Sequence, residues 1–238
     1  MLAVKKQIDP RDHMFNSGPD WYWGVGESGL LAVRRVLGLT YTASVRRVLD
    51  LPSGHGRVGR YLRAGFPDAE IFFCDIDIHE AQFCARTFRG IAIPSRPELT
   101  EVDLPRDCDV IWVGSLFTHV DRDRTKRWLA HLCSRLSARG VLVATFHGSM
   151  AIKAHEKNPM IAPEAWAAAL EGYKVTGFGY APYPDKTENY GISLSRPSEI
   201  VAMVEDTPGV RLLSYTERGW ADNHDVLGVS GADRLTPW

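Results

Sequence analysis

Five short runs of apolar residues, separated by stretches of helical periodicity, limit this chain more than any other feature. They fall at 47–51, 70–74, 90–93, 109–113 and 140–146. Runs that are apolar throughout, rather than at every second residue, belong to strands buried on both faces. Helices between such strands impose a parallel sheet. Helical spacing is read at 57–64 and 79–88, and again from a cap at Asp121 to about Leu136, with Trp128, Leu129, Leu132, Cys133 and Leu136 on one face. Two further strand patterns, 210–215 and 225–229, are joined by a link too short for a helical crossover, so they pair antiparallel. The expected fold class is α/β: a seven-stranded, mostly parallel sheet with helices on both faces and an antiparallel last strand.

Two stretches stand outside this rhythm. Residues 9–26 are rich in Asp, Gly, Pro and aromatics (Phe15, Trp21, Tyr22, Trp23) and read as an ordered loop able to fold over something, followed by a helix at 28–37. Residues 147–194 hold a helix around 163–171 and a loop rich in Gly, Tyr and Pro. An insertion of that length after a strand end is usually functional in a compact domain. Ser195 then caps a helix with Ile200, Val201 and Val204 inward. The expected organisation is one domain over 1–238, with a cap segment at 1–44, a core at 45–148, a lid insertion at 149–194, and a closing helix and strand pair at 195–238.

Charge excludes some partners. The formal net charge is −1, and the pairs Arg34-Arg35 and Arg46-Arg47 are too short to track a phosphate backbone, so neither nucleic acid nor an anionic membrane is an expected partner. No apolar run reaches the roughly 18 residues that span a bilayer, and Met1 to Lys6 lack a signal-peptide pattern; a cytoplasmic location is expected. Cys74, Cys84, Cys108 and Cys133 form no C-x-x-C pair and read as small buried hydrophobes.

The first apolar run ends in Asp50-Leu51-Pro52-Ser53-Gly54-His55-Gly56-Arg57-Val58-Gly59. Glycines at 54 and 56 let a ligand approach the main chain, in the crevice at the carboxyl ends of the strands. Gly54, Gly56 and Gly59 also satisfy G-x-G-x-x-G, so a nicotinamide-dependent oxidoreductase is one reading. Asp50 weighs against it, because a carboxylate repels a pyrophosphate and suits a cationic group. The antiparallel closing strands also fit a doubled mononucleotide unit poorly.

Residues 48–58 resemble the first motif of class I methyltransferases, and Phe73-Cys74-Asp75-Ile76-Asp77 their second. Residues 109–119, which include Gly114, Ser115 and His119, resemble the fourth-strand motif. The resemblance covers about 45–150 well and the last two strands in outline. It implies S-adenosylmethionine as cofactor, held by Asp50, Gly54, Gly56, Asp75, Ile76, Ser95, Gly114 and Ser115. Asp75 would take the two ribose hydroxyls, as two carboxylate oxygens can. Ser53 fills the place before the first glycine where a small residue or Cys is usual; the chain departs from the pattern at Pro52, and at Pro94-Ser95, where an acid often stands. A non-catalytic module that keeps the fold is a further alternative.

A hydroxyl acceptor must lose a proton. Three histidines follow strand ends that face the donor: His147, His119 and His224. Of these His147 is the expected base, His119 the expected packing residue. Aromatic side chains, with Tyr180, Tyr190 and Trp220 foremost, suit a sugar, glycan or flat natural product, and equally suit lid packing. Asp185, Glu188, Asp222 and Asp225 lie in or beside loops. A divalent metal is compatible with them, although no spacing is diagnostic. Oligomeric state is not legible.

Overall fold

The computed structural model describes residues 3–40, 42, 44–184 and 190–231. In chain order the strands are β1 (Arg47–Leu51), β2 (Glu70–Asp75), β3 (Ile91–Pro94), β4 (Cys108–Val113), β5 (Leu136–His147), β6 (Phe178–Pro182), β7 (Gly191–Ser195), β8 (Val210–Trp220) and β9 (His224–Gly231). Seven of them form one sheet in the order β3-β2-β1-β4-β5-β9-β8, and β6 and β7 form a separate antiparallel pair. The first five are parallel, and β9 runs antiparallel to both β5 and β8. The sequence-based fold class stands.

The helices are α1 (His13–Asn16), α2 (Pro19–Leu37), α3 (Gly59–Gly65), α4 (Ile78–Phe88), α5 (Arg122–Cys133), α6 (Ser149–Lys157), α7 (Pro163–Thr176) and α8 (Pro197–Glu205). The pleat sends alternate strand residues to opposite faces. Leu49, Ile111 and Leu142 join Trp128, Leu132, Ile200 and Met203 from α5 and α8. Val48, Val110, Trp112 and Val141 join Val33, Leu62 and Phe88 from α2, α3 and α4. Both faces are therefore dry, which is why these strands read as unbroken apolar runs. Asp121 caps α5, its carboxylate accepting from Arg124 N at 2.9 Å; loss of such a cap costs about 1 kcal/mol.

Three local expectations fail. The long helix of the cap segment, α2, begins at Pro19, not Ser28, so Trp21, Tyr22 and Trp23 lie in its first two turns rather than in a loop. Proline at the first helical position fits, since its missing N–H is an orphan there anyway. Ser195 ends β7 and does not cap α8; Arg196 is the N-cap and Pro197 starts the helix. The Tyr-rich part of the insertion is a β-hairpin, β6–β7, packed on α7 with its own small core of Ala151, Trp166, Ala169, Ala181, Ile192 and Leu194. Glycine permits that contact, for a Cβ on Gly179 would sit 1.7 Å from the Ala169 carbonyl.

Candidate functional site

The carboxyl ends of β1, β2 and β4 meet at the glycine turn. Gly54 has φ +49° and Gly56 φ +75°, a region in which side chains are strained. The Gly54 N–H donates to Asp75 Oδ2 at 2.8 Å and the Asp77 N–H to Asp75 Oδ1 at 3.0 Å. Two backbone bonds thus aim the Asp75 carboxylate, and each oxygen keeps a lone pair for another donor. Burial raises its pKa and those bonds oppose the rise. Asp50, 1% exposed, has no hydrogen-bonding partner at Oδ2; burial, then the nearby Asp75, hold its carboxyl well above the usual range.

The two glycines differ. A Cβ on Gly54 would find only Glu80 Oε2 at 3.6 Å, so that side of the turn is open. A Cβ on Gly56 would lie 2.4 Å from the Phe88 ring and 2.9 Å from Cys84 Sγ. Gly56 therefore faces the core, and the expectation that it gives its space to a ligand is corrected. The Cys84 thiol, in turn, donates to the Gly54 carbonyl at 3.2 Å.

The cap segment lies across this turn and is fastened by Arg60. That buried guanidinium donates to the carbonyls of Lys5 and Gln7 and of Gly56 and His55, and to the Tyr22 hydroxyl. Tyr22 in turn donates to Asp12 at 2.7 Å. His55 lies between Glu80 (Nδ1–Oε1 3.3 Å) and Asp9 (Nε2–Oδ1 3.8 Å). Burial, then the charges of Asp75, Asp77 and Asp12, raise the Glu80 pKa to about 7.

Opposite the carboxylates stands a wall of rings. His119, His147 and His224 converge: ring centroids are 6.2 Å apart for His119–His147 and 4.8 Å for His147–His224, which pair directly across β5 and β9. His119 also stacks on Tyr190 at 4.8 Å. Its Nδ1 lies 2.8 Å from the Gly191 carbonyl and 3.1 Å from the Tyr183 hydroxyl. A carbonyl only accepts, so Nδ1 carries the proton and Nε2 the lone pair. The hairpin holds this loop: Gly191 N and Ser193 N donate to the carbonyls of His119 and Thr118.

The crevice has two lobes that share Pro52, Ile76 and Tyr190. One, of about 310 Å³, is lined by Asp50, Gly54, Arg57, Asp75, His119 and Trp220, among others, including Gly114, Ser115 and Glu80. The other, of about 410 Å³, is more apolar and is lined by Ser95, Leu99, Leu116 and Trp128, among others. Most sequence candidates thus come together. His147, His224 and Tyr180 do not line either lobe. His147 is buried, with burial, then His119, lowering its pKa to about 3. His224 is held well below the usual range by burial, then by His147. The expectation that His147 meets an acceptor is corrected: it backs His119 from the core. Tyr180, half-buried on β6, packs against the main core. Sequence reading passed over Arg57, His55, Glu80 and the cap residues Asp12 and Met14. Arg57 directly follows Gly56, the signal that pointed to it.

A larger cavity, about 720 Å³, opens at the far ends of β1 and β4, beside Arg46, Arg47 and Asp109. Its Asp109 carboxylate is already engaged by Arg46 N, Arg47 N and Ser137 Oγ. Among the described residues no group of three His, Cys, Asp or Glu side chains could hold a metal. Asp185 and Glu188 fall outside the described residues. Asp225 is engaged by Tyr215 and Arg218, while Asp222 stays in the turn before β9. No described helix is long and apolar enough to cross a membrane.

No family model and no curated protein matches the sequence. Solved structures do match. An S-adenosylmethionine-dependent methyltransferase from Clostridium acetobutylicum superposes with a TM-score of 0.61 at 11% identity, over 92% of this chain and 97% of that one. The DhpI structure, a complex with SAH, gives 0.57 at 16% identity over 94% and 93%. The mitomycin 7-O-methyltransferase MmcR gives 0.57 at 17% identity over 88% of this chain; the match spans 54% of MmcR, about half its length. At these identities the likeness is one of fold, and the fold is that of class I methyltransferases.

Proposed function

We propose that this chain, with the fold of the class I methyltransferases as premise, moves the methyl group of S-adenosylmethionine onto a hydroxyl of a small molecule, a sugar, glycan or natural product. The observation that supports this most is the pair of buried carboxylates, Asp50 and Asp75, at the ends of adjacent strands around a turn left open at Gly54. Such a wall suits ribose hydroxyls and a cationic ligand. It repels the pyrophosphate of a dinucleotide. The antiparallel β9 also departs from the all-parallel dinucleotide sheet.

S-adenosylmethionine supplies, when bound, a methyl group on a positive sulfur, ready for in-line displacement. In this reading Asp75 accepts from the two ribose hydroxyls, with its carboxylate already set by Gly54 and Asp77. Ile76, Ser95 and Leu116 wall the apolar lobe, which suits the adenine. His119, fixed in the tautomer with Nδ1–H, offers Nε2 to the acceptor's proton. Tyr190 and Trp220 flank the acceptor. MmcR, an O-methyltransferase by name, supports a hydroxyl acceptor.

Thermal unfolding with S-adenosylhomocysteine and with NAD tests the reading. A ligand at 100 times its Kd stabilises by about 2.7 kcal/mol, so S-adenosylhomocysteine should raise Tm and NAD should not. The opposite result would remove the proposal. Label transfer from donor to a sugar and polyphenol panel separates an enzyme from a module that only binds.

A further inference from the structure

His119 is held by residues far from it in the chain. Gly191, the first residue of β7, binds it twice: its N–H donates to the His119 carbonyl and its own carbonyl accepts from His119 Nδ1, each at 2.8 Å. Ser193 extends the grip to the neighbours, its N–H donating to the Thr118 carbonyl at 2.9 Å and its hydroxyl to the Val120 carbonyl. The Tyr183 hydroxyl lies 3.1 Å from the same Nδ1. The Tyr190 ring stacks on the imidazole, with centroids 4.8 Å and planes 28° apart. Tyr183 N in turn donates to the Tyr190 carbonyl at 3.0 Å, which joins the two tyrosines beside the histidine. The turn after β4 brings His119 to the crevice, and the hairpin decides how its ring stands.

Tyr190 has a second set of neighbours. It lines both lobes of the crevice, and the charge of Asp75 reaches its hydroxyl. One ring thus borders the space for the donor and steadies the group that takes the proton. A two-stranded pair gains little stability by itself. This one shares a small core with α7, and such a unit opens locally more readily than a sheet buried on both faces. A ligand packed on Tyr190 adds contacts only to the closed hairpin and shifts its population by that difference in affinity. Resting on the donor reading above, we infer that Tyr190 is a positioning residue through which the bound donor locks His119 in the orientation that presents Nε2 to the acceptor. The donor closes the hairpin, Gly191 and Ser193 hold the 118–120 loop, and the base is fully set only in the donor complex. The crevice is then committed to removing a proton only when a methyl group stands ready to replace it.

Amide hydrogen exchange at Gly191 and Ser193, read by NMR with and without S-adenosylhomocysteine, tests this. In the wild type the ligand should slow both amides about 10- to 100-fold, the upper figure being the limit at 100 times Kd when opening releases the ligand. Tyr190→Ala should still bind S-adenosylhomocysteine through Asp75 and the glycine turn, yet lose most of that slowing. Tyr190→Phe keeps the ring and should restore it. If Tyr190→Ala does not fold, Tyr190→Leu carries the comparison, keeping bulk without the stacking face. A residue that only packs would speed exchange in the empty and the bound protein alike, leaving the ratio between them unchanged. That result overturns the assignment, as does a wild type that binds S-adenosylhomocysteine without slowing the two amides. A wild type that does not bind S-adenosylhomocysteine fails at the donor reading instead, a distinguishable result.

Discussion

The crevice has two walls built by different means. The carboxylate wall comes from adjacent strand ends and one turn, within residues 50–80, and is aimed by backbone donors: Gly54 N and Asp77 N on Asp75. The ring wall is assembled from distant segments, with His119 after β4, Tyr183 and Tyr190 on the hairpin, and Trp220 at the end of β8. Its histidines sit in apolar surroundings that favour their neutral forms. One wall is suited to grip a charged ligand; the other can take a proton.

Three experiments press on that contrast. The largest effect is expected at the ring wall. His119→Gln should cut kcat about 10²–10⁴-fold, the usual range for a positioned base, and leave S-adenosylhomocysteine affinity alone. Because burial lowers the His119 pKa, wild-type kcat should fall on the acid side, below the ordinary histidine range, and that limb should vanish in the variant. An unchanged pH–rate profile would return the base to another group.

The carboxylate wall is next. Gly56→Val drives a branched side chain at positive φ into Phe88 and Cys84, and should cost roughly 2–5 kcal/mol of stability. Gly54→Ala meets open space and should cost only about 1–2 kcal/mol, from its φ alone, yet should hinder the donor. Chemical denaturation together with calorimetry separates the two. If both variants lose stability alike, the open face of the turn is an illusion of the packing.

The smallest effect concerns the backing layer. His147 has a pKa of about 3 in the fold against 6.5 for the free side chain. Between those values the unfolded chain binds the extra proton, so stability is full above about 6.5 and falls with decreasing pH. The slope is up to about 1.4 kcal/mol per pH unit for one such group. His147→Gln should flatten it. An identical acid titration of stability would show that the histidine is hydrated.

The carboxylate wall was legible in the sequence because its spacing is local. Asp50 to Gly56 is one turn, and Asp75 ends an apolar run. The ring wall was legible only as a set of candidates. Nothing in Phe146-His147-Gly148 says that His147 points into the core while His119 meets the cavity, because that depends on where the hairpin lies. The hairpin itself was read as a loop: Gly177, Gly179 and Pro182 break the strand pattern, yet Gly179 is there to let α7 approach. The start of α2 was hidden for a similar reason, since Asp, Gly and Trp propensities gave way to tertiary packing on α3.

The thiol of Cys84 lies against the carbonyl of Gly54, beneath the turn where the donor is proposed to sit. Like the other three thiols it is buried, and burial holds it protonated and unreactive. An alkylating reagent can reach it only when the turn and α4 part. The chain thus carries a chemical clock at its own ligand loop: the rate at which Cys84 is labelled counts the openings of that turn, and a bound donor would slow the count without any dye or engineered probe.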